Sequence, residues 1–203
     1  REQVPALLAA GLEVEGYVYV WFSADIAFAA ARVAWACSEL DPFPGVTKMM
    51  WLDCEQSDGD DPPFDYVNAP VSSHIRACVQ AARDAGYEPG IYTASWWWVP
   101  GASDSHEWAA LPLWVADYDA NPHDRAVGFG GWTVATMKQY AANQTFAGMG
   151  AFDISVYAEY VYPPLPEPPP APDLSGVLAH LKDARDHVNA ALAALGAGDV
   201  VTP

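Results

Sequence analysis

Short apolar runs rich in β-branched and aromatic residues alternate, up to about residue 161, with Ala-rich runs of helical spacing. Val14–Phe22, Lys48–Asp53, Pro89–Tyr92, Leu113–Tyr118 and Thr136–Tyr140 predict strands, with Gly150–Ile154 as a sixth. Ile26–Leu40 and Val71–Ala85 predict helices. In the second, Ile75, Val79 and Ala82 share a face, Arg76 and Arg83 lie off it, and Gly86 stands where a C-cap belongs. Strand, helix, strand, helix predicts a parallel sheet with right-handed crossovers, and several strands are apolar throughout, as when both faces are covered. The second half carries turns such as Asn121-Pro122 and Gly130-Gly131 where helices would be due. The expected fold is therefore an α/β barrel whose last strands have lost their helices.

The alternation stops at a run of seven prolines in ten positions, residues 163–172. Each proline fixes φ and removes a donor, so an extended spacer is expected there. The predicted organisation is a barrel domain over 1–162, a proline-rich linker over 163–172 and an amphipathic C-terminal helix over 173–203. In the last, Leu174, Leu178, Leu181, Val188, Leu192 and Leu195 follow a 4, 3, 7, 4, 3 spacing, with Arg185 in the interrupted slot.

Composition narrows the function classes. Aspartate and glutamate number 26 against nine lysines and arginines, for a net charge of −17 over 203 residues. Such a field repels a phosphate backbone, so neither nucleic acid nor an anionic membrane is expected as a partner. No apolar run approaches the roughly 20 residues that span a bilayer. Cys37, Cys54 and Cys78 make no even framework and no paired CxxC, so free buried thiols are expected. No metal-ligand spacing stands out, and no cofactor is expected; His74, His106 and His123 are assigned solvated or capping roles.

The sharpest chemical feature is Met49-Met50-Trp51-Leu52-Asp53-Cys54-Glu55-Gln56. An apolar strand ends in two carboxylates at i and i+2, which face the same side with Cα atoms about 6.5–7 Å apart. In a parallel barrel the C-terminal ends of strands are where catalytic groups collect. Two carboxylates sharing a site push their pKa values apart, one acid and one base, as glycoside hydrolysis requires. The competing reading is a solvated acidic loop, since Asp58, Asp60 and Asp61 follow. Other strands also end in aromatic or polar groups: Tyr92 with Ser95 and Trp96-Trp97-Trp98 beyond it, Trp114 and Tyr118 on one face of their strand, and Gln139 with Tyr140. Asp117 should point away from the side of Tyr118.

The ordered set Tyr17-Val18-Tyr19, Leu52-Asp53-Cys54-Glu55, Gly90-Ile91-Tyr92-Thr93, Pro112 to Tyr118, Gln139-Tyr140 and Phe152 to Tyr157 resembles the family 25 glycoside hydrolases, over most of residues 12–157. That resemblance implies a (β/α)5β3 barrel. It implies an N-acetylmuramidase that cleaves the β-1,4 bond from N-acetylmuramic acid to N-acetylglucosamine in peptidoglycan, outside the cell or at the wall, as a phage lysin or virion-associated enzyme does. Carried across, Glu55 resembles the general acid, with its pKa raised by Asp53 and partial burial; Asp53 resembles its companion carboxylate and Asp153 the later acidic residue. Tyr19, Tyr92, Trp114, Tyr118 and Gln139 are the expected sugar-contacting residues. Family members open with a strand bearing a further acidic residue. Nothing before Gly16 matches it or the second strand, and residues 1–13 read as the end of a helix. The barrel is thus expected to be incomplete at its start. A non-catalytic glycan-binding or structural module of a phage tail or virion is the alternative.

The tail seam yields a prediction. Leaving its large side chains wet forfeits roughly 1.5–3 kcal/mol each, so residues 173–195 are expected to self-associate or dock on a partner, with packing back onto the barrel as the alternative. Light scattering should give more than one chain's mass for the intact protein and a single chain's mass for one ending at Tyr162. Two monomers across a wide concentration range would rule out self-association.

Overall fold

A computed structural model describes residues 3–22, 25–56, 71–119, 121–145 and 150–157. The chain divides into two compact units, Arg1–Tyr160 and Val161–Pro203. The expected linker and C-terminal helix lie outside the described residues.

After a short helix α1 (Val4–Ala9), the elements run β1 (Gly16–Tyr19), α2 (Ile26–Leu40), β2 (Met49–Asp53), α3 (Val71–Asp84), β3 (Glu88–Thr93), α4 (Ser95–Gly101), β4 (Leu113–Ala116), β5 (Met137–Thr145) and β6 (Ala151–Tyr157). The six strands form one sheet in sequence order. Strands β1 to β5 are parallel and β6 returns antiparallel to β5. This last pairing departs from the all-parallel expectation. The connection from Thr145 to Ala151 is too short for a crossover helix and suits only a hairpin.

Local chemistry explains the helix limits. Asp25 caps α2, its carboxylate accepting from the Phe28 amide at 2.8 Å. Ala29, Val33 and Cys37 of α2 recur on one buried face. Helix α3 ends in a Schellman motif: Gly86, at φ +78°, donates to the Arg83 carbonyl at 2.9 Å, and Tyr87 donates to that of Ala82 at 2.9 Å. The two helices pack on each other and against the outer side of β1, β2 and β3. His74 belongs to this core rather than to solvent or a cap. It is buried and meets Phe22 edge-on at 5.8 Å. Helix α4 is absent from the sequence expectation. It forms where Trp97 and Trp98 turn into the core beside Phe22, Trp108 and Trp132, while Trp96 stays exposed. All three cysteines are free and buried.

The sheet curls into a half-barrel. Tyr157, at the end of β6, donates its hydroxyl to the Glu15 carboxylate just before β1. The same oxygen of Glu15 accepts the Trp51 indole N–H at 2.7 Å. Trp51 points to the concave side and is 1% exposed. It lies over Gly90, its register partner on β3, where an added Cβ would fall 2.5 Å from the indole ring.

Gly90→Ala should therefore cost about 1–3 kcal/mol of stability by overpacking. Gly128→Ala, with nothing within 4 Å of its added Cβ, should cost well under half as much. Urea denaturation of both variants checks this, and equal midpoints would contradict the close approach.

Candidate active site

Strand alternation decides what reaches the concave side. On β2 the inward positions are Trp51 and Asp53, with Glu55 continuing past the strand end, while Met50, Leu52 and Cys54 pack outward and are fully buried. On β3 the inward register partner of Asp53 is Tyr92, and on β4 that of Tyr92 is Trp114. These rings make a floor: Trp51 meets Trp114 edge-on at 5.8 Å, and Tyr92 meets Trp114 at 4.8 Å. The Trp114 indole donates to Ser155 of β6 at 3.1 Å.

Above that floor lies a cavity of about 510 Å³ lined by Tyr17, Asp53, Glu55, Tyr92, Trp114, Gln139, Ala151, Phe152 and Asp153. The sequence candidates Asp53, Glu55, Asp153, Tyr92, Trp114 and Gln139 thus meet in one cleft. Tyr118 reaches its rim, donating to Gln139 Oε1 at 2.5 Å, and Tyr92 donates to the same oxygen at 2.9 Å. With Oε1 so occupied, Gln139 turns its Nε2 toward Asp153 at 3.3 Å. A bulge in β5 completes the hold on Asp153: Asn143, at φ +56°, donates its backbone N–H to Asp153 at 3.0 Å. Tyr19 is not in the cavity lining. Its hydroxyl donates to the Glu55 backbone carbonyl at 3.0 Å and so steadies the end of β2. Asp117 points away from Tyr118, as alternation requires, and pairs with Lys138 behind the sheet at 3.1 Å. Tyr17 and Phe152, which also line the cleft, were not singled out as candidates. Their signal was alternation from Tyr19 in β1 and adjacency to Asp153 in β6.

Burial acts on the ionisation of Asp53. Its pKa is raised from 3.8 to about 7, first by desolvation and then by the charge of Glu55. Its Oδ1 is buried with no hydrogen-bond partner among the described residues, a costly arrangement of the kind that marks functional sites. The sequence expectation placed the raised pKa on Glu55; the structure places one on Asp53, because Asp53 sits one step deeper against the aromatic floor. Asp53 therefore keeps its proton through the mildly acidic range and gives it up as pH rises through about 7, with Glu55 close enough on the same side for the two carboxyls to share it. Tyr92 and Tyr118 are also raised, both chiefly by desolvation, so both hydroxyls stay protonated donors. The arrangement supplies a shared proton, an opposing carboxylate at Asp153 and a polar rim above a ring-lined base. That is what acid-assisted cleavage of a glycoside needs.

The sequence matches glycosyl hydrolases family 25 over residues 1–149. It is 31% identical over 149 residues to "Probable GH family 25 lysozyme 3" of Dictyostelium discoideum, covering 72% of this chain and 30% of that protein. The chain thus spans under a third of that relative's length. The fold is similar to muramidase from Acremonium alcalophilum, with a TM-score of 0.58, 19% identity and coverage of 77% of this chain and 73% of that one. It is also similar to the modular autolysin LytC from Streptococcus pneumoniae, described in complex with a synthetic peptidoglycan ligand. There the TM-score is 0.60 and the identity 16%, covering 77% of this chain and 36% of that one.

The buried charge on Asp53 gives a stability prediction. Between pH 3.8 and about 7 the folded state keeps a proton that the unfolded chain has lost, so stability falls as pH rises through that window. Asp53→Asn removes the charge and should stabilise the fold by about 2–4 kcal/mol at pH 8, with little change at pH 4. Chemical denaturation at the two pH values measures it; an equal effect at both would show that the charge is not the cause.

Proposed function

This chain belongs to glycosyl hydrolases family 25, and on that premise we propose that it is a peptidoglycan muramidase. It cleaves the β-1,4 bond between N-acetylmuramic acid and N-acetylglucosamine. The observation that carries the reading is the Asp53 and Glu55 pair at the end of β2, facing Asp153 across one cleft with aromatic walls. The complex of the similarly folded autolysin with a synthetic peptidoglycan ligand supports the same substrate class. The family also carries the expectation of a (β/α)5β3 barrel, to which the described half-barrel would contribute six strands. Such a substrate puts the site of action at the cell wall, as for a phage or bacterial lysin.

In this mechanism the shared proton leaves from Glu55, one step nearer the rim than Asp53, and goes to the leaving glycosidic oxygen. Both carboxyls are then charged, and the dianion faces the positive charge that develops at the anomeric carbon. Tyr92 and Trp114 offer ring faces and edges to the sugars, while Gln139, fixed by two tyrosine hydroxyls, presents a defined amide. Asp153, anchored by Gln139 and the Asn143 amide, stands opposite the pair.

Glu55→Gln should fold normally and lower turbidity clearance of purified walls by roughly a hundredfold or more, because an amide is too weak an acid to protonate the leaving oxygen. In the parent, activity should fall as pH rises through about 7, the value to which Asp53 is raised, since the pair then loses its last proton. Equal clearance by both forms would remove Glu55 from the reaction. A folded parent that clears no walls would favour a glycan-binding role instead.

A further inference from the structure

Behind β5, on the face away from the cleft, lies a cation that the mechanism does not use. Lys138 is wholly buried although it is a lysine. Its ammonium donates to Asp119 at 2.7 Å and to the Asp124 carbonyl at 2.9 Å, and pairs with Asp117 at 3.1 Å. Both carboxylates belong to the long connection from β4 to β5, and both are partly exposed. Between them in sequence stands Tyr118, whose hydroxyl reaches the other face of the sheet and donates to Gln139. Gln139 is the next residue after Lys138 on β5, so alternation sends the two side chains to opposite faces.

We propose that Lys138 is a positioning residue: its ammonium draws Asp117 and Asp119 to the outer face, which holds the intervening Tyr118 over the strand end against Gln139. The geometry leaves little freedom. Asp117 continues the β4 to β5 ladder, its amide donating to the Gln139 carbonyl at 3.0 Å, so the segment is extended and alternates. Pinning its first and third side chains outward turns the second inward. Beyond Asp124, whose carbonyl Lys138 also holds, the connection has braces of its own in the Ala126 to Val134 bridge and in Arg125 Nη1 donating to the Ala135 carbonyl at 3.0 Å. Of the contacts Lys138 makes, those to Asp117 and Asp119 flank Tyr118 directly. Its charge is secure: burial opposes it, but the hydrogen bonds to Asp119 and Asp117 outweigh that and keep its pKa above the ordinary lysine value. Asp119 is correspondingly held below the usual carboxylate value by the same contact.

Through Tyr118 the tether sets how Gln139 is presented. Gln139 Oε1 accepts from both tyrosines, and with both in place its amide nitrogen is turned to the side of Asp153. Losing the tether should free Tyr118, unbalance Gln139 and loosen the grip on Asp153 without touching the Asp53 and Glu55 pair.

The activity arm of the test rests on the muramidase reading; a spectroscopic arm does not. In the full chain, the side-chain amide resonance of Gln139 would be followed by ¹⁵N–¹H NMR in Lys138→Met, Asp119→Asn and Tyr118→Phe. All three should move it in the same direction. Wall hydrolysis by Lys138→Met should drop roughly tenfold or more. Combining it with Tyr118→Phe should give little further loss, because the two act in series. Asp119→Asn, at a partly exposed carboxylate, keeps the question open to decision should Lys138→Met fail to fold. A Gln139 resonance unmoved in the folded tether variants, or losses that multiply in the double variant, would overturn the proposal and leave Lys138 a structural residue. If the parent hydrolyses no wall at all, the muramidase reading falls, and the amide resonance alone decides the tether.

Discussion

One carboxylate ties the curled sheet together. Glu15 precedes β1, yet it receives the hydroxyl of Tyr157 from the end of β6 and the indole N–H of Trp51 from β2. Residues 142 apart in sequence are thereby joined at the base of the half-barrel. Desolvation pushes the Tyr157 hydroxyl well above its ordinary pKa, and Glu15 adds to that, so the donor keeps its proton. The tie also fixes Trp51, and through it the spacing of the neighbouring strand. The indole can occupy that place only because position 90 has no Cβ. Sheet curvature and the filling of its concave side therefore share one origin.

The consequences reach the cleft one layer up. With Trp51 seated, Trp114 packs edge-on against it and Tyr92 edge-on against Trp114, so the interior below Asp53 is lined with ring carbon. A carboxyl placed at the next inward position of β2 must be poorly solvated, which is the first cause of its raised pKa. Glu55, two residues on, adds its charge from the same side. The acid–base capacity of the site thus follows from the packing beneath it. A floor of small residues would admit water and return Asp53 toward the usual carboxylate range.

Much of this was legible in the sequence where a single period governs. The limits of α2, the Gly86 cap of α3, the shared side of Asp53 and Glu55 and that of Trp114 and Tyr118 follow from spacing of 3.6 or 2 along one segment, while Tyr92 and Gln139 were expected in the cleft from the family resemblance. What escaped depends on partners distant in the chain. Glu15 reads as an ordinary acidic residue before a strand, and nothing local shows that it will meet Tyr157. Lys138 was visible only as a break in an apolar strand, since the carboxylates that justify its burial lie in a connection with no periodicity. His74 was misplaced because its aromatic neighbour Phe22 lies on the far side of α2 in sequence. Helix α4 was hidden by tryptophans, whose burial is decided by tertiary contacts rather than by pattern. The division of protons between Asp53 and Glu55 likewise depends on depth, which spacing alone does not supply.

Charge placement closes the argument. Among the described residues the cleft lining holds three carboxylates and no lysine or arginine, in a chain with only nine such cations. An ammonium or guanidinium beside Asp53 would lower its pKa and strip the pair of the proton that the proposed reaction consumes. Buried Lys138 neighbours a cleft residue in sequence but faces the other side of the sheet. A one-residue slip of β5 would exchange Lys138 with Gln139 and put the ammonium into the cleft. Register is held against that slip by the Tyr92 and Tyr118 hydroxyls on Gln139 from one face and by Asp117 and Asp119 on Lys138 from the other. The same contacts that set the strand register therefore keep the carboxyl pair free of a neutralising charge.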